Sequence, residues 1–163
     1  MRTNQFTVEQ KSEWQEESRD WNWDMWISSA DPAPTLRALT DRDPKSWWTT
    51  AHAQRDGDAL LLDLGATVQP CAVTLSVGEF GASYPRKLVV ETSAGGVAWT
   101  TVAEERTAGL TVKAALDDPK AVSMVIPLAP SAAKFVRLRV AEAHPSIPWM
   151  VTDVAVMVAA REE

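Results

Sequence analysis

At 163 residues, with 45% hydrophobic and 23% charged side chains, the chain has the composition of a folded domain with a buried core, which excludes a disordered or fibrous protein. Its 22 acidic and 16 basic side chains give a net charge of -6, so nucleic acid and anionic membrane surfaces are poor candidates for a partner. The single cysteine excludes an intramolecular disulfide, and neither a secretory signal nor a membrane-spanning segment is expected.

The first predicted element is a short helix over residues 7–18, whose first and fourth residues have the spacing of a capping box. It is the one helix that the sequence indicates, and residues 1–19 are assigned to an N-terminal extension. An early strand is predicted next, over residues 21–28, because large apolar side chains occupy alternate positions there.

Six further segments predict β-strands. Four of them alternate apolar and polar side chains, as half-buried strands do: residues 73–77, 122–128, 136–140 and 154–158. Residues 59–64 and 87–92 are more continuously apolar, which predicts strands covered on both faces. About eight short strands at this spacing, separated by glycine and proline turns, predict an all-β sandwich or barrel. Residues 20–160 are assigned to it as a single domain.

Catalytic chemistry has little support in the sequence. The two histidines, His52 and His144, lie in loop sequence without a nucleophile pattern nearby. One cysteine and two scattered histidines do not have the spacing of a zinc site. We therefore expect a chain that is not an enzyme.

The segment LTDRDPKSWW, which begins at Leu39, concentrates hard oxygen donors ahead of two tryptophans. Asp41 and Asp43 are two residues apart, and Pro44 favours a turn, so both carboxylates could be directed at one hard cation such as calcium. The alternative interpretation is that the two aspartates cap the turn by accepting hydrogen bonds from its own backbone amides.

These segments, taken in order, resemble the discoidin, or coagulation-factor C-type, domain, a galactose-binding-like β-sandwich that also includes many carbohydrate-binding modules. The matching sequences are DRDPKSWW at 41–48, GDALLLDLG at 57–65, YPRKLVVETSAGGVAW at 84–99, KFVRLRV at 134–140 and WMVTDVAV at 149–156. The resemblance implies an eight-stranded jelly roll of two antiparallel sheets. It also implies a structural calcium ion that ties loops together, and ligands bound by loops at one end.

Carried over by position, the resemblance implies calcium ligands on two segments of the chain. They are the Leu39 carbonyl, Asp41, Asp43, Ser46, which stands where the family commonly has threonine, and Asp153, which stands where it commonly has glutamate. One position departs from the family: glycine often separates the two acids, whereas this chain has Arg42, whose positive charge opposes cation binding.

Ligand contacts are sought among loop aromatics with polar neighbours, because sugar rings stack on aromatic faces while their hydroxyls need hydrogen-bonding partners. The candidates are Trp47, His52, Tyr84, Arg86, His144 and Trp149. Trp47 is the strongest of them, because Trp48 matches the core tryptophan of the family and its neighbour should then point elsewhere. For Trp149, the alternative is a place in the core.

The resemblance therefore implies a non-catalytic module, at most an accessory domain of a carbohydrate-active enzyme, that binds carbohydrate through loops at one end of the sandwich, with a structural calcium. The alternative is a protein–protein interaction, assembly or adhesion module on the same fold. Neither nucleic acid binding nor membrane insertion is expected. The compartment stays open, and the chain could be a domain of a longer exported or membrane protein.

Overall fold

The structure is a computed structural model that describes residues 2–3, 7–8, 38–41, 43 and 45–159. These residues form eleven β-strands and one α-helix. In chain order the elements are β1 (Arg2–Thr3), β2 (Thr7–Val8), β3 (Trp48–Ala53), β4 (Ala59–Val68), β5 (Pro70–Gly78), β6 (Lys87–Ser93), β7 (Thr100–Arg106), α1 (Ala108–Asp117), β8 (Val122–Pro127), β9 (Ala133–Val140), β10 (Pro148–Val151) and β11 (Asp153–Val158).

The strands form two main antiparallel sheets and a separate pair. One sheet has the strand order β1-β11-β5-β8 and the other has the order β2-β4-β9-β6-β7, while β10 pairs with β3. The predicted all-β jelly-roll sandwich of two antiparallel sheets is confirmed. The β3–β10 pair is an addition to the predicted arrangement.

The core lies between the two main sheets. Because side chains alternate across a strand, direct cross-strand partners point to the same face. One inward row from the five-stranded sheet is Leu60, Leu138 and Val90, and one from the four-stranded sheet is Val154, Leu75 and Met124. All six side chains are buried and belong to one hydrophobic cluster.

Strand pairing gathers three connections at one end of the five-stranded sheet. Ala59, which begins β4, pairs with Arg139 near the end of β9, and Leu88 near the start of β6 pairs with Val140. The connections that precede β4, precede β6 and follow β9 therefore lie together. We name this region, residues 54–58, 79–86 and 141–147, the loop end.

The connection from β5 to the loop end depends on a glycine. Gly78 has a φ of 55°, in the left-handed region that side chains other than glycine rarely adopt. A Cβ atom at this position would lie 3.0 Å from the Cγ2 methyl of Thr152. Both constraints fix the direction in which the chain leaves β5 toward residues 79–86.

All six strands predicted from residue 59 onward are confirmed, within a few residues at their ends. The prediction that β4 and β6 are covered on both faces is also confirmed, since neighbouring residues such as Val89 and Val90 are both buried. The strands β3, β7 and β10 were not predicted.

The helix prediction is wrong in two respects. Thr7–Val8 is a strand that pairs with β4 rather than the start of a helix, because its backbone extends the edge of the five-stranded sheet. The one described helix is α1, where the sequence predicts neither a helix nor a strand. Residues 9–18 and the predicted strand over 21–28 lie outside the described residues. Within the described residues, no helix has the length and apolar character needed to span a membrane.

A pair of leucines tests how much the core contributes to stability. We expect Leu138→Ala to lower the free energy of unfolding by about 2–5 kcal/mol, because it removes a fully buried side chain and leaves a cavity. Leu116→Ala on α1 should change it by less than about 0.5 kcal/mol, since Leu116 is 82% exposed. Urea unfolding of both variants measures the difference, and equal effects would contradict this core.

Candidate functional site

The acidic turn, made of Asp41, Asp43, Lys45 and Ser46, is held by its own carboxylates. The Asp43 amide donates to Asp41 Oδ1 at 2.8 Å, and the Lys45 amide donates to Asp43 Oδ1 at 2.9 Å. Each aspartate thus caps an amide two residues further on, which is the geometry of the turn-capping alternative.

Oxygen atoms of the acidic turn also converge around the Ser46 hydroxyl. Its Oγ lies 2.9 and 2.8 Å from the two carboxylate oxygens of Asp41 and 3.1 Å from the Asp43 carbonyl oxygen. Carboxylate, hydroxyl and carbonyl oxygens are the donors that calcium prefers. The donor chemistry of the turn therefore suits calcium, although the same atoms are joined to one another by hydrogen bonds.

The backbone brings the acidic turn close to the start of β11. The Val154 amide donates to the Leu39 carbonyl at 3.0 Å, so Leu39 lies beside Asp153 as the calcium hypothesis requires. Among the described residues, however, no group of three or more His, Cys, Asp or Glu side chains could hold a metal. The three aspartates of the hypothesis do not form such a group, and a calcium site here would depend on the hydroxyl and carbonyl oxygens as well.

The two adjacent tryptophans point in different directions. Trp48 is buried, and its ring meets the Trp149 ring edge to face with centroids 5.3 Å apart. Trp47 is 47% exposed, and its ring lies 5.3 Å from that of Phe80 in a tilted contact. The prediction that Trp48 belongs to the core and Trp47 points away from it is confirmed.

Trp149 requires a correction. Its side chain is fully buried and packs against Trp48 inside the sandwich. A ring with no exposed surface cannot stack on a ligand, so Trp149 does not belong among the candidate ligand contacts. The alternative assignment to the core is the one that the structure supports.

Tyr84 and Arg86 form a stack at the loop end. The guanidinium carbon of Arg86 lies 4.0 Å from the centre of the Tyr84 ring, within the range of a cation–π contact. Arg86 Nη2 also donates to the Ala82 carbonyl at 3.0 Å. Both side chains are half-buried, so the stack is held in place while part of it stays accessible.

His144 is held in the turn that follows β9. Its Nδ1 accepts hydrogen bonds from the amides of Ser146, at 3.2 Å, and Ile147, at 3.0 Å. An accepting Nδ1 places the proton of the neutral ring on Nε2. His144 therefore offers one donor, at Nε2, from a ring whose orientation the turn fixes.

His52 points into the loop end toward Asp58. Its Nδ1 lies 2.5 Å from the Ala53 carbonyl oxygen, and its Nε2 lies 3.9 Å from Asp58 Oδ1. The other carboxylate oxygen, Asp58 Oδ2, accepts from the Arg55 amide at 2.8 Å. Within the described residues, His52 Nε2 and Asp58 Oδ1 are buried atoms without a hydrogen-bond partner. His52 is thus an internal side chain of this region, with 17% of its surface exposed.

Burial raises the pKa of the Asp58 carboxyl above its ordinary value of 3.8, because a carboxylate loses hydration when it is buried. The hydrogen bond from the Arg55 amide and the charges of His52 and Arg55 act in the opposite direction and offset part of this effect. The folded protein therefore retains the proton of Asp58 over a pH range in which the unfolded chain has released it.

The sequence did not single out Phe80 or Gln54. Phe80 follows a glycine turn and gave no alternation to mark it, yet it is the ring against which Trp47 packs. Gln54 is buried and bonded to the Tyr84 and Pro148 carbonyls, which lie 30 and 94 residues away in sequence. No local pattern announces such a residue, because its partners are assembled only by the fold.

Comparison with known proteins identifies one family. The F5/8 type C domain matches residues 18–152. No curated protein sequence matches the chain.

Several solved structures share the fold. CpGH89CBM32-5 from Clostridium perfringens, solved in complex with GalNAc-beta-1,3-galactose, matches with a TM-score of 0.56 and 15% identity over 76% of this chain and 83% of that one. Chitosan-binding module 1 from a chitosanase/glucanase of Paenibacillus sp. IK-5 matches with a TM-score of 0.57 and 17% identity, over 82% of this chain and 89% of that one. The family 32 carbohydrate-binding module of EndoD from Streptococcus pneumoniae matches with a TM-score of 0.58 and 13% identity, over 80% of this chain and 90% of that one. At these identities the likeness is one of fold.

The raised pKa of Asp58 leads to a prediction about stability. We expect Asp58→Asn to raise the free energy of unfolding at neutral pH by about 1 kcal/mol, because an amide keeps the bond from Arg55 and gives His52 Nε2 a donor. The gain should shrink as the pH falls through the raised pKa and vanish below about 4, where the carboxyl is protonated in both states.

Thermal unfolding from pH 8 to pH 3 measures this dependence. Asp56→Asn is the matched control, since Asp56 lies in the same loop with 71% of its side chain exposed. A lower stability of Asp58→Asn at neutral pH, or a difference that does not change with pH, would contradict the conclusion that burial of the ionised Asp58 carboxylate is unfavourable.

Proposed function

The chain belongs to the F5/8 type C domain family, and we propose that it is a module that binds carbohydrate through the loop end. The family and the similar solved modules are non-catalytic, so the prediction that the chain is not an enzyme is confirmed by this membership. The binding of carbohydrate is supported by side chains of the loop end and by Trp47, which precedes β3 and contacts Phe80 of the loop end.

The observation that carries the proposal is the exposed ring of Trp47. A tryptophan with 47% of its surface exposed, fixed by a contact with Phe80, offers an apolar face of the kind that stacks on the C–H face of a sugar. The Tyr84–Arg86 stack adds a second aromatic ring and a cation that can donate to hydroxyl groups. The Tyr84–Arg86 stack belongs to residues 79–86, and the Trp47 ring touches Phe80 of the same segment.

The similar solved modules support the same class of ligand. One of them is solved in complex with GalNAc-beta-1,3-galactose, one is named as a chitosan-binding module, and one is a family 32 carbohydrate-binding module. These ligands differ from one another, so they support carbohydrate as the class of ligand for this chain rather than a particular sugar.

A protein-interaction module is the second candidate function. Helix α1 exposes Val112 and Leu116, which are 60% and 82% exposed and lie four residues apart on one helix face. Exposed apolar side chains in such an arrangement favour contact with another protein. Because α1 does not belong to the loop end, substitutions can separate the two functions.

Calcium at the acidic turn is a further part of the proposal. The ion would be held by the Asp41 carboxylate, the Ser46 hydroxyl and carbonyl oxygens of Asp43 and Leu39, with Asp153 nearby on β11. The convergence of oxygen atoms on Ser46 supports this assignment. Such an ion would fix the segment that carries Trp47, one residue after Ser46, and so would support the ligand site indirectly.

Titration against a panel of glycans tests the carbohydrate proposal. We expect micromolar to millimolar binding that is selective for certain sugars, and we expect Trp47→Ala to weaken it by roughly tenfold or more because the exposed stacking face is lost. Leu116→Ala is the control, as it removes an exposed side chain of α1. Absence of binding to every glycan, or equal binding by Trp47→Ala, would reject the proposal.

Thermal unfolding with and without calcium tests the metal proposal. Calcium at a hundredfold excess over its dissociation constant should stabilise the protein by about 2.7 kcal/mol, which raises Tm. Asp41→Asn should abolish this rise, whereas Asp117→Asn on α1, where the side chain is 74% exposed, should preserve it. A Tm that calcium leaves unchanged, or a rise that survives in Asp41→Asn, would favour the turn-capping interpretation.

A further inference from the structure

Gln54 is a buried polar residue of the loop end, and its hydrogen bonds reach the other two connections of that region. It follows β3 directly, and 1% of its surface is exposed. Its Nε2 donates to the Tyr84 carbonyl at 2.8 Å and to the Pro148 carbonyl at 3.3 Å, while its Oε1 accepts from the Arg86 amide at 3.3 Å. The side-chain amide thus uses both donors and its acceptor.

The backbone of Gln54 reaches the third connection of the loop end. Its amide donates to the Ile147 carbonyl at 3.0 Å, and its carbonyl accepts from the His144 amide at 3.0 Å. One buried residue is therefore bonded to both residues of the Tyr84–Arg86 stack and to the turn that fixes the His144 ring. These are three of the candidate ligand contacts, drawn from two connections far apart in sequence.

Other hydrogen bonds hold residues 79–86 to the body of the sandwich. The Met150 amide donates to the Ser83 carbonyl at 3.1 Å, and the Thr107 hydroxyl donates to the Pro85 carbonyl. If the side-chain amide of Gln54 is lost, residues 79–86 therefore remain attached, while the Tyr84 carbonyl and the Arg86 amide lose their bonds to Gln54. The Arg86 carbonyl keeps its bond from the Thr107 amide. A change at Gln54 is expected to act locally rather than on the whole fold.

We infer that Gln54 is a positioning residue whose side chain holds the Tyr84–Arg86 stack in the single arrangement that receives the glycan. This inference rests on the proposed carbohydrate function. The side chain acts through the backbone of its partners, since it is itself buried. Its effect arises because a ligand that bonds to several fixed groups binds more tightly than one that must first order them.

The chemistry of the site requires an amide. Glutamate has nearly the same shape, but a carboxylate at this position would face the carbonyl oxygens of Tyr84 and Pro148 with no hydrogen to share. Methionine has a similar volume and no charge, so it removes the three hydrogen bonds with little change in packing. Gln54→Met is therefore the main test variant, and Gln54→Glu is the stronger perturbation.

The experiment compares glycan affinity, Tm and amide hydrogen exchange in the full chain. We expect Gln54→Met to bind the best glycan of the panel about tenfold more weakly at a temperature far below its Tm. We also expect the Arg86 amide to exchange about tenfold faster without glycan, because its acceptor is gone. Gln69→Glu is the control, since Gln69 is exposed in the connection between β4 and β5.

The possible outcomes separate the two proposals. If the unmodified chain binds a glycan and Gln54→Met binds it equally well, the positioning role is overturned while the carbohydrate function stands. Faster exchange throughout the chain with a matching fall in Tm would also overturn it, because that pattern indicates a general role in stability. Failure of the unmodified chain to bind any glycan would overturn the proposed function and the positioning role with it.

Discussion

Contact between the apolar faces of the two main sheets is the constraint from which the arrangement of the loops follows. Leu138 aligns with Leu60 and Val90 across three strands, and a shift of one residue in β9 would turn Leu138 to the face that carries Arg137 and Arg139. The register therefore fixes which strand ends coincide. Connections that are distant in sequence meet at the loop end because the strands that carry them are aligned by their buried faces.

The sequence predicted six strands whose inward side chains are mostly apolar, and it missed β3, where they are not. β3 has the sequence WTTAHA, in which the buried Thr50 accepts a hydrogen bond from the Trp149 amide, so no apolar alternation marks the strand. In α1 the large apolar side chains of Val112 and Leu116 face outward, so the helix carries only a weak apolar stripe. Its inward face is formed by the buried Thr111 and the partly buried Leu110, Ala114 and Ala115. In both elements, tertiary contacts compensate for what the local pattern lacks.

The candidate site was predictable to the extent that each residue acts alone. Trp47 could be inferred from its neighbour, because two adjacent residues of an extended segment point in opposite directions and Trp48 is in the core. Tyr84 and Arg86 could be proposed from composition, but their stacking at 4.0 Å could not. The roles of His52 and Gln54 depend on Asp58, Tyr84 and Pro148, and these partners become neighbours only when the fold is complete.

The outer face of the five-stranded sheet suits a ligand less well than the site proposed at the loop end. Arg137 and Arg139, which share that face, both pair with Glu91, at 2.6 and 3.5 Å, and Arg137 also lies over the Trp99 ring. A ligand that recruited these arginines would have to separate them from a buried carboxylate, which is costly. At the loop end, Gln54 binds backbone atoms of Tyr84 and Arg86 instead, and both side chains stay partly exposed although Arg86 also donates to the Ala82 carbonyl. In the proposed site, one set of atoms therefore supplies rigidity while others can meet an uncharged ligand rich in hydroxyl groups, such as a sugar.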